Sequence, residues 1–349
     1  MVGADSAADA GSSGCLRPFE VTPGVFVRCQ SRIRSKCPSC AELCRGDWAA
    51  IARSGVFDDE RVKHYRFYLL TLTAPSFGPV HRVPKPGQRV NGCRCGVTHS
   101  AEDVALRGMP LDSGTYDYAG LVEWNRDAGV LWDRTRRRLR DRWGSVEFFI
   151  VREWQARGSL HVHALVRIAR VEAPAPGVLG EAARTAEAVS KVDGSLVSWG
   201  EQGNCQAFRA DGAGAKTIWY LSKALNYVLK DTTSEGGAGA WSHVARLAAA
   251  ARAMRCAPEC VPSSCSSRVH DRFGARSHVV SASRRTSRRL GWSFAGLTRK
   301  LQRLLRSEWA RARDAAASDA SAPERVVLAL EGLAARAVLE LRARATVVP

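Results

Sequence analysis

Two apolar stretches near the middle of the chain predict a β-hairpin. Residues 146–154 and 160–168 are rich in Val, Ile, Phe and Leu, and the short segment around Gly158 between them is typical of a turn. In residues 66–73, apolar and polar side chains alternate, which predicts another strand. In residues 119–142, by contrast, apolar side chains recur every three or four positions, which predicts a helix. The mixture indicates an α+β fold.

Glycine- and proline-rich stretches divide the rest of the chain. Residues 1–28 are rich in Ala, Gly, Ser and Asp, and we expect a disordered tail there. The Gly-rich residues 200–214 are expected to be irregular. Further helices are predicted at residues 47–54, 179–190, 241–255, 297–314 and 322–344.

The charge of the chain indicates a polyanionic partner. Its 349 residues include 52 Lys and Arg against 34 Asp and Glu, a formal net charge of +18. Neutralising phosphates releases condensed counterions, so we expect nucleic acid. Arginines cluster at residues 134–138, 284–285 and 288–289; those of the predicted helix form either a solvated face or a surface that tracks phosphates. The basic C-terminal helices could pack on the core, bind DNA backbone or mediate self-association.

Membrane association is not expected. The sequence has no apolar run of about 18 residues and no secretory leader. A hydrophobic content of 45% is sufficient to form a buried core. We therefore expect a cytoplasmic protein.

Two histidines lie on the second strand of the predicted hairpin. His161 and His163 flank Val162, and residues two apart on a strand project from the same face. Both imidazoles can therefore bind one metal ion while Leu160, Val162 and Ala164 turn toward the core. The alternative is that two histidines occupy a solvated strand face.

A run of tyrosines and lysines follows further along the chain. Residues 219–230 contain no Gly or Pro and predict a helix. One face of this helix carries two Tyr-x-x-Lys units, formed by Tyr220, Lys223, Tyr227 and Lys230. The alternative is an amphipathic helix with half-buried tyrosines. Together with a two-histidine metal site, the helix indicates metal-assisted attack of tyrosine on a DNA phosphodiester.

The eleven cysteines are clustered in a way that is typical of zinc ligands. The first cluster contains Cys29, Cys37, Cys40 and Cys44, followed by Cys93, Cys95 and His99. The second contains Cys256, Cys260, Cys265 and His270. We expect structural rather than catalytic zinc, because four ligands leave no open position for substrate; inert buried thiols are the alternative. Cys15 and Cys205 have no evident partners.

Short motifs along the chain resemble the RepSA-like replication initiators of actinobacterial plasmids and integrative elements. The resemblance extends from about residue 29 to about residue 310. It is carried by fragments in a constant order at residues 37–41 (CPSCA), 70–78 (LTLTAPSFG), 116–118, 124–125, 131–132, 153–163 (EWQARGSLHVH), 219–230 and 273–278. That family consists of rolling-circle initiators with a His-hydrophobic-His (HUH) nickase core. The resemblance implies an antiparallel-sheet HUH core with helices, small zinc-binding elements and a helical C-terminal region.

The resemblance also implies a third ligand for a catalytic Mg²⁺ or Mn²⁺. It places an acidic residue just ahead of the Gln-x-Arg-Gly turn, which makes Glu153 the partner of His161 and His163. Pairing of Glu153 with Arg152 or Arg157 as a surface acid is the alternative. Only a hairpin loop with an odd number of residues puts Glu153 directly opposite one of the histidines.

Two tyrosines are candidates for the nucleophile. The family often carries a second tyrosine four residues after the first, and in this sequence Ala224 occupies that position. The nucleophile is therefore either Tyr220 or Tyr227. Lys223 or Lys230 would steady the phosphate or favour the phenolate form.

These inferences predict four regions and one principal function. The regions are a disordered tail at 1–28, a zinc-binding element at 29–60 that includes 93–99, a nicking core at 61–295 with a second zinc element at 256–270, and a basic helical region at 296–349.

The function is replication initiation. The protein binds a double-stranded origin and nicks one strand at a single-stranded site, and the nick leaves a 5′-phosphotyrosine link. A host helicase or polymerase is a further expected partner. The alternatives are an HUH relaxase or single-strand transposase, and a non-catalytic zinc-containing DNA-binding regulator.

Overall fold

The computed structural model describes residues 14–89, 92–212, 214, 216–218, 221, 238–276 and 280–318. The strands are β1 (Phe19–Thr22), β2 (Val25–Val27), β3 (Tyr65–Thr73), β4 (Glu147–Trp154), β5 (Leu160–Ala169), β6 (Glu187–Val189), β7 (Leu196–Ser198), β8 (Gly203–Phe208) and β9 (Val280–Ala282). The helices are α1 (Pro38–Ser54), α2 (Tyr118–Arg142), α3 (Pro176–Arg184), α4 (Ala238–Ala253) and α5 (Arg299–Ser318). Short 3₁₀ turns lie at Glu60–His64, Val104–Leu106 and His270–Arg272.

A five-stranded antiparallel sheet in the order β8-β3-β5-β4-β9 forms the centre of the molecule. The apolar strand β5 is its middle strand and is buried along most of its length. The predicted hairpin is formed by β4 and β5, whose pairing runs from Glu147 opposite Arg167 to Trp154 opposite Leu160. The α+β class and the antiparallel sheet predicted from the sequence are therefore present.

Helix α2 covers one face of the sheet. Its N-terminus is capped by Asp117, whose carboxylate accepts a hydrogen bond from the Gly120 amide at 2.8 Å. Its apolar stripe, which includes Leu131 and Trp132, packs against Val162 and other inward residues of the sheet. Helices α3 and α4 complete this larger core.

Helix α1 covers part of the opposite face. Its Ile51 joins Trp292 and the sheet residues Phe149 and Leu165 in a second core. Helix α5 is attached to α1 through the buried Asp47, which forms ion pairs with Arg299 and Arg306. The two faces therefore have separate cores, and β5 contributes to both.

Several segments differ from the sequence-based prediction. Strand β8 lies in the stretch expected to be irregular. Most of its side chains are exposed, and it is defined by backbone pairing with β3 at the sheet edge and by packing of Phe208 against Phe67. The hairpin β1–β2 lies in the expected tail and is ordered by its own pairing. Helix α1 starts at Pro38, well before the predicted residue 47, because proline is favoured in the first helical turn. The helix predicted at 322–344 lies outside the described residues.

Membrane insertion through a helix finds no support in the described part of the chain. None of the helices there combines the length and the apolar character needed to cross a bilayer.

Candidate functional site

Strand pairing brings the two histidines and their candidate partners onto one face of the sheet. His161 lies between Glu153 of β4 and Thr73 of β3, and His163 lies between Val151 and Thr71. The loop that joins β4 to β5 has five residues, 155–159, which satisfies the odd-number condition for Glu153 to face His161 directly. All of these side chains therefore project from the face that α1 covers further along β5.

His163 makes the closest contacts of this group. Its Nδ1 atom lies 3.1 Å from the Thr71 hydroxyl, and its Nε2 atom lies 3.3 Å from a carboxylate oxygen of Glu153. Its side chain is almost fully buried, whereas that of Glu153 is 17% exposed. The contact with Thr71 leaves Nε2 as the nitrogen that faces Glu153, an arrangement that resembles the outer-shell support of metal-binding histidines.

His161 lies beside His163, with 4.5 Å between the ring centroids and 80° between the ring planes. Its Nδ1 atom is 3.4 Å from the amide nitrogen of Gln155. Burial lowers the pKa of His161 to about 3, and the electrostatic influence of the neighbouring His163, Arg157 and Lys85 acts in the same direction. The imidazole is therefore neutral at physiological pH, which is the form that binds a metal ion.

The turn of the hairpin is held by Asn125 and Arg157, to which the sequence analysis assigned no such role. The Asn125 side chain of α2 donates to the Gly158 carbonyl and accepts from the Leu160 amide, both at 2.9 Å. Arg157 donates to the carbonyls of Ala74 and Pro75, the residues that follow β3. These bonds connect α2, the turn and the end of β3, and so fix where the histidine strand begins. The Gln-x-Arg-Gly pattern was the signal that could have revealed them.

Glycine is required at position 158 of this turn. Its φ of +86° is unfavourable for other residues, and a Cβ atom there would lie 2.4 Å from the Leu247 side chain. The close packing of the turn against α4 therefore depends on the missing side chain.

The predicted nucleophiles Tyr220 and Tyr227, with Lys223 and Lys230, lie outside the described residues. Of their described neighbours, Ile218 and Leu221 are buried in the second core with Phe67, Phe149 and Leu165. These three sheet residues project from the same face as His161 and His163.

The described part of the chain contains three groups of four Cys and His side chains that could hold a metal such as zinc. In each group the ligand atoms all lie within 4.8 Å of one another. The groups are Cys15, Cys29, Cys37 and Cys40; His81, Cys93, Cys95 and His99; and Cys256, Cys260, Cys265 and His270. The set of His161, His163 and Glu153 is not among these compact groups; His161 Nδ1 faces Gln155 while His163 contacts Glu153 directly.

The first group differs in membership from the predicted cluster. Cys15, which had no evident partner, completes it because the segment before β1 folds back onto the start of α1. Cys44 is not part of it; Cys44 lies one helical turn beyond Cys40, about 6 Å further along the axis. Cys44 is instead buried, and that burial raises the pKa of its thiol.

The second group is separate from the first. Cys93, Cys95 and His99 lie with His81, a residue that the sequence analysis did not assign, and the two histidine nitrogens are 3.1 Å apart. Desolvation opposes ionisation of Cys93, but hydrogen bonds led by the Cys95 amide lower its pKa to about 6. Thiolate is the ligand form for zinc, so the environment of Cys93 suits a metal.

The third group contains the four predicted residues. It connects the end of α4 to the segment that follows, because Cys256 comes shortly after α4 and the Nδ1 atom of His270 lies 2.7 Å from the Ala251 carbonyl. Cys205, by contrast, is in none of the three groups; its burial raises the pKa of the thiol to about 12.

Comparison with known proteins identifies the same family over most of the chain. The family model described as replication initiator protein, pSAM2 (RepSA) matches residues 18–338. A replication initiator protein from Streptomyces ambofaciens is 36% identical over 235 residues, which cover 56% of this chain and 50% of that protein. The chain thus matches about half the length of this curated relative. No solved structure matches the chain.

Proposed function

This chain belongs to the RepSA family of replication initiator proteins, and on that premise we propose that it starts replication of a mobile DNA element by nicking one strand of its origin. The observation that carries the proposal is the convergence of His161, His163 and Glu153 on one face of an antiparallel sheet. We propose that this sheet is the HUH nickase core, and that replication follows the rolling-circle mechanism.

The reaction is a transesterification at a DNA phosphodiester. The hydroxyl oxygen of Tyr220 or Tyr227 attacks phosphorus, and the bond from phosphorus to the 3′ oxygen breaks. The tyrosine proton is lost and the released 3′ oxygen is protonated, so the products are a 3′ hydroxyl and a 5′-phosphotyrosine. This link conserves the phosphodiester energy, and a 3′ hydroxyl can later reverse it. Lys223 or Lys230 would stabilise the phenolate and the phosphate.

The donor set of the histidine site fits a divalent ion. His161 and His163 supply imidazole nitrogens and Glu153 supplies a carboxylate oxygen, a combination that accepts Mn²⁺ and, with further oxygen ligands, Mg²⁺. When bound, the ion would act as a Lewis acid on a nonbridging phosphate oxygen. Thr71 orients His163, and the turn held by Asn125 positions the start of β5.

The buried positions of Ile218 and Leu221 support the role of the tyrosine segment. Both pack on the sheet face that carries the histidines, and they lie close in sequence to Tyr220. A nucleophile near that face would be within reach of a phosphate bound at the histidine site.

We further propose that the three Cys/His groups hold structural zinc. Each supplies four ligands, as closed structural sites do, and each joins segments that are otherwise connected by loops. The first joins the start of the described chain to α1, the second closes the long connection between β3 and α2, and the third anchors the segment after α4.

Covalent trapping tests the nicking proposal without knowledge of the origin sequence. Protein would be incubated with Mn²⁺ and a labelled pool of random single-stranded DNA, and adducts would be detected on a denaturing gel. We expect an adduct with the parent protein, loss of it in one of the variants Tyr220→Phe and Tyr227→Phe, and none in the double variant. Tyr65→Phe, at the far end of β3 from the histidines, is the matched control and should retain the adduct.

Two outcomes would overturn the proposal. An adduct in the double tyrosine variant would exclude both nucleophiles. A parent protein that binds DNA but forms no adduct over a range of Mn²⁺ and Mg²⁺ concentrations would favour the non-catalytic, zinc-containing DNA-binding protein instead.

A further inference from the structure

Two cavities flank the C-terminal half of α2, on the face of the sheet opposite the histidines. Their volumes are about 970 Å³ and 850 Å³. They share the lining residues Val130, Asp133 and Lys191, so they are adjacent and form one continuous surface around the helix. Neither is lined by His161, His163 or Glu153, whereas the second includes Asn125 and Leu160 at the base of the hairpin turn.

The first cavity is lined by a row of exposed arginines. Arg134, Arg137 and Arg138 come from one side of α2, and Arg142 from its last turn. Residues 134, 137, 138 and 142 lie on one side of the helix, so their guanidinium groups are spaced along its axis. The carboxylates of Asp133, Asp141 and Glu187 line the same cavity, so its excess of positive charge is small. Helix propensity alone does not require arginine at any of these exposed positions.

The second cavity carries a greater excess of positive charge. Its lining includes seven cationic residues and two acidic ones. The cationic residues are Arg136, Arg140, Arg152, Lys191, Arg276, Arg284 and Arg289. Each acidic residue already has an arginine partner: Asp133 pairs with Arg136 at 2.7 Å, and Asp127 pairs with Arg126 at 2.6 Å.

One of these cations is buried within the protein. Arg152 projects from β4 toward α2, and desolvation lowers the pKa of its guanidinium to about 10. An anion in the cavity would offset that desolvation. The cavity therefore offers positive charge to an anionic ligand.

The lining favours the DNA backbone over unstacked bases. Proteins that bind single strands without sequence preference stack bases on accessible aromatic rings. Here the two aromatic lining residues, Trp132 and Phe148, are buried and pack against each other edge to face. Arginine without accessible aromatic rings is typical of contacts to the phosphates of a duplex.

We propose that this surface, the α2 basic surface formed by Arg134, Arg137, Arg138, Arg142, Arg284 and Arg289, binds the sugar–phosphate backbone of double-stranded DNA. The inference deepens the proposed function and rests on it for its biological meaning: an initiator must hold its origin duplex while one strand is nicked. Because this surface and the histidines lie on opposite faces of the sheet, binding and nicking are separable by substitution.

Duplex binding is the measurement that tests the α2 basic surface. A fluorescent 30-base-pair duplex of random sequence and a single strand of equal length would be titrated between 50 and 300 mM salt. The triple variant Arg134→Gln, Arg137→Gln, Arg138→Gln should weaken duplex binding about 100-fold near 0.15 M salt, because each lost phosphate contact reduces the log–log salt slope by about 0.9. The pair Arg284→Gln, Arg289→Gln should weaken it in the same direction.

A matched control removes the same charge elsewhere. Lys63, Arg66 and Arg170 are exposed and cluster where β3 begins and β5 ends, away from both cavities. Their triple Gln variant should retain the parent salt slope to within about one phosphate contact. All variants should melt within a few degrees of the parent, which shows that the effect is not unfolding.

The outcomes separate this inference from the proposed function. Equal salt slopes for the α2 and control variants, or an equal fold loss for duplex and single strand, would overturn the α2 basic surface as a duplex site. The covalent adduct with the random single-strand pool should persist in the α2 variant. Loss of that adduct with unchanged duplex binding would likewise overturn the inference, whereas an inactive parent protein would affect only the nicking proposal.

Discussion

The three Cys/His groups and the histidine site of the sheet differ in the number and kind of the atoms that they could offer to a metal ion. Each Cys/His group brings four sulfur or nitrogen atoms within 4.8 Å of one another. The histidine site has two imidazoles and one carboxylate, in which His163 contacts Glu153 at 3.3 Å while His161 lies beside Gln155. Four soft ligands close a zinc site, whereas three ligands that include an oxygen leave room for a phosphate.

The two kinds of site also differ in what supports them. The Cys/His groups lie mainly in connections and at helix ends. The histidine site lies on paired strands, and Thr71 and Glu153 hold His163 from either side. Loops gain order from cross-linking, whereas a sheet is already ordered before it binds a ligand. The comparison indicates that loss of ligands from a Cys/His group should impair folding. Loss of ligands from the histidine site should instead impair activity.

The largest expected effect is on cleavage. The double variant His161→Ala, His163→Ala should reduce adduct formation by about 10³-fold or more, because the phosphate loses its Lewis acid. Its affinity for duplex DNA should be nearly unchanged. The measurement is the single-turnover rate of adduct formation with saturating Mn²⁺, and a rate within tenfold of the parent would show that the histidines bind no catalytic metal.

The next effect is on stability, and α1 offers a matched pair of cysteines. Cys40 and Cys44 are equally buried, but only Cys40 belongs to a four-ligand group. Cys40→Ser should release one zinc and lower the free energy of unfolding by about 4 kcal/mol or more, whereas Cys44→Ser should cost about 1 kcal/mol and leave the zinc content unchanged. Metal analysis and thermal melting check both. Identical behaviour of the two variants would mean that the first group is a cluster of inert thiols.

A smaller effect, on the zinc content of the protein, tests whether the first and second Cys/His groups are separate sites. If each four-residue group holds one ion, protein purified without chelator should contain about three zinc ions per chain. His81→Ala should reduce this by about one, whereas His64→Ala, an exposed histidine outside the groups, should not change it. Unchanged zinc in the His81 variant would instead support a shared site in which Cys93, Cys95 and His99 complete the first cluster.

The smallest effect concerns the support of His163. Thr71→Val removes the hydroxyl that lies 3.1 Å from Nδ1 while keeping the shape of the side chain. We expect the Mn²⁺ concentration for half-maximal adduct formation to rise about tenfold, since outer-shell partners orient metal ligands. Thr71→Ser should restore the parent value, and Thr73→Val on the same face is the control. No change in the Thr71→Val variant would leave Thr71 as a packing residue only.

Local pattern in the sequence determined much of the secondary structure. The hairpin β4–β5 and the helices α2 and α4 lie within a few residues of the prediction, because strong apolar periodicity leaves only one way to bury each segment. The pairing of His161 and His163 on one face follows from the two-residue repeat of a strand alone. The sequence also identified the four residues of the third Cys/His group. These residues are close together in sequence, so local chain folding is sufficient to bring them together.

Only the tertiary structure decided which distant residues meet. Cys15 and His81 carry no local signal; they join their groups because the chain folds back over long connections. Strand β8 has a polar, glycine-containing sequence and exists as a strand because β3 offers an unpaired edge. The register that puts Glu153 opposite His161 was conditional on loop length, and Asn125 reaches the turn from a helix on the other side of the sheet. Sequence pattern specifies which face of an element is buried, but contacts between elements depend on the packing of the whole chain.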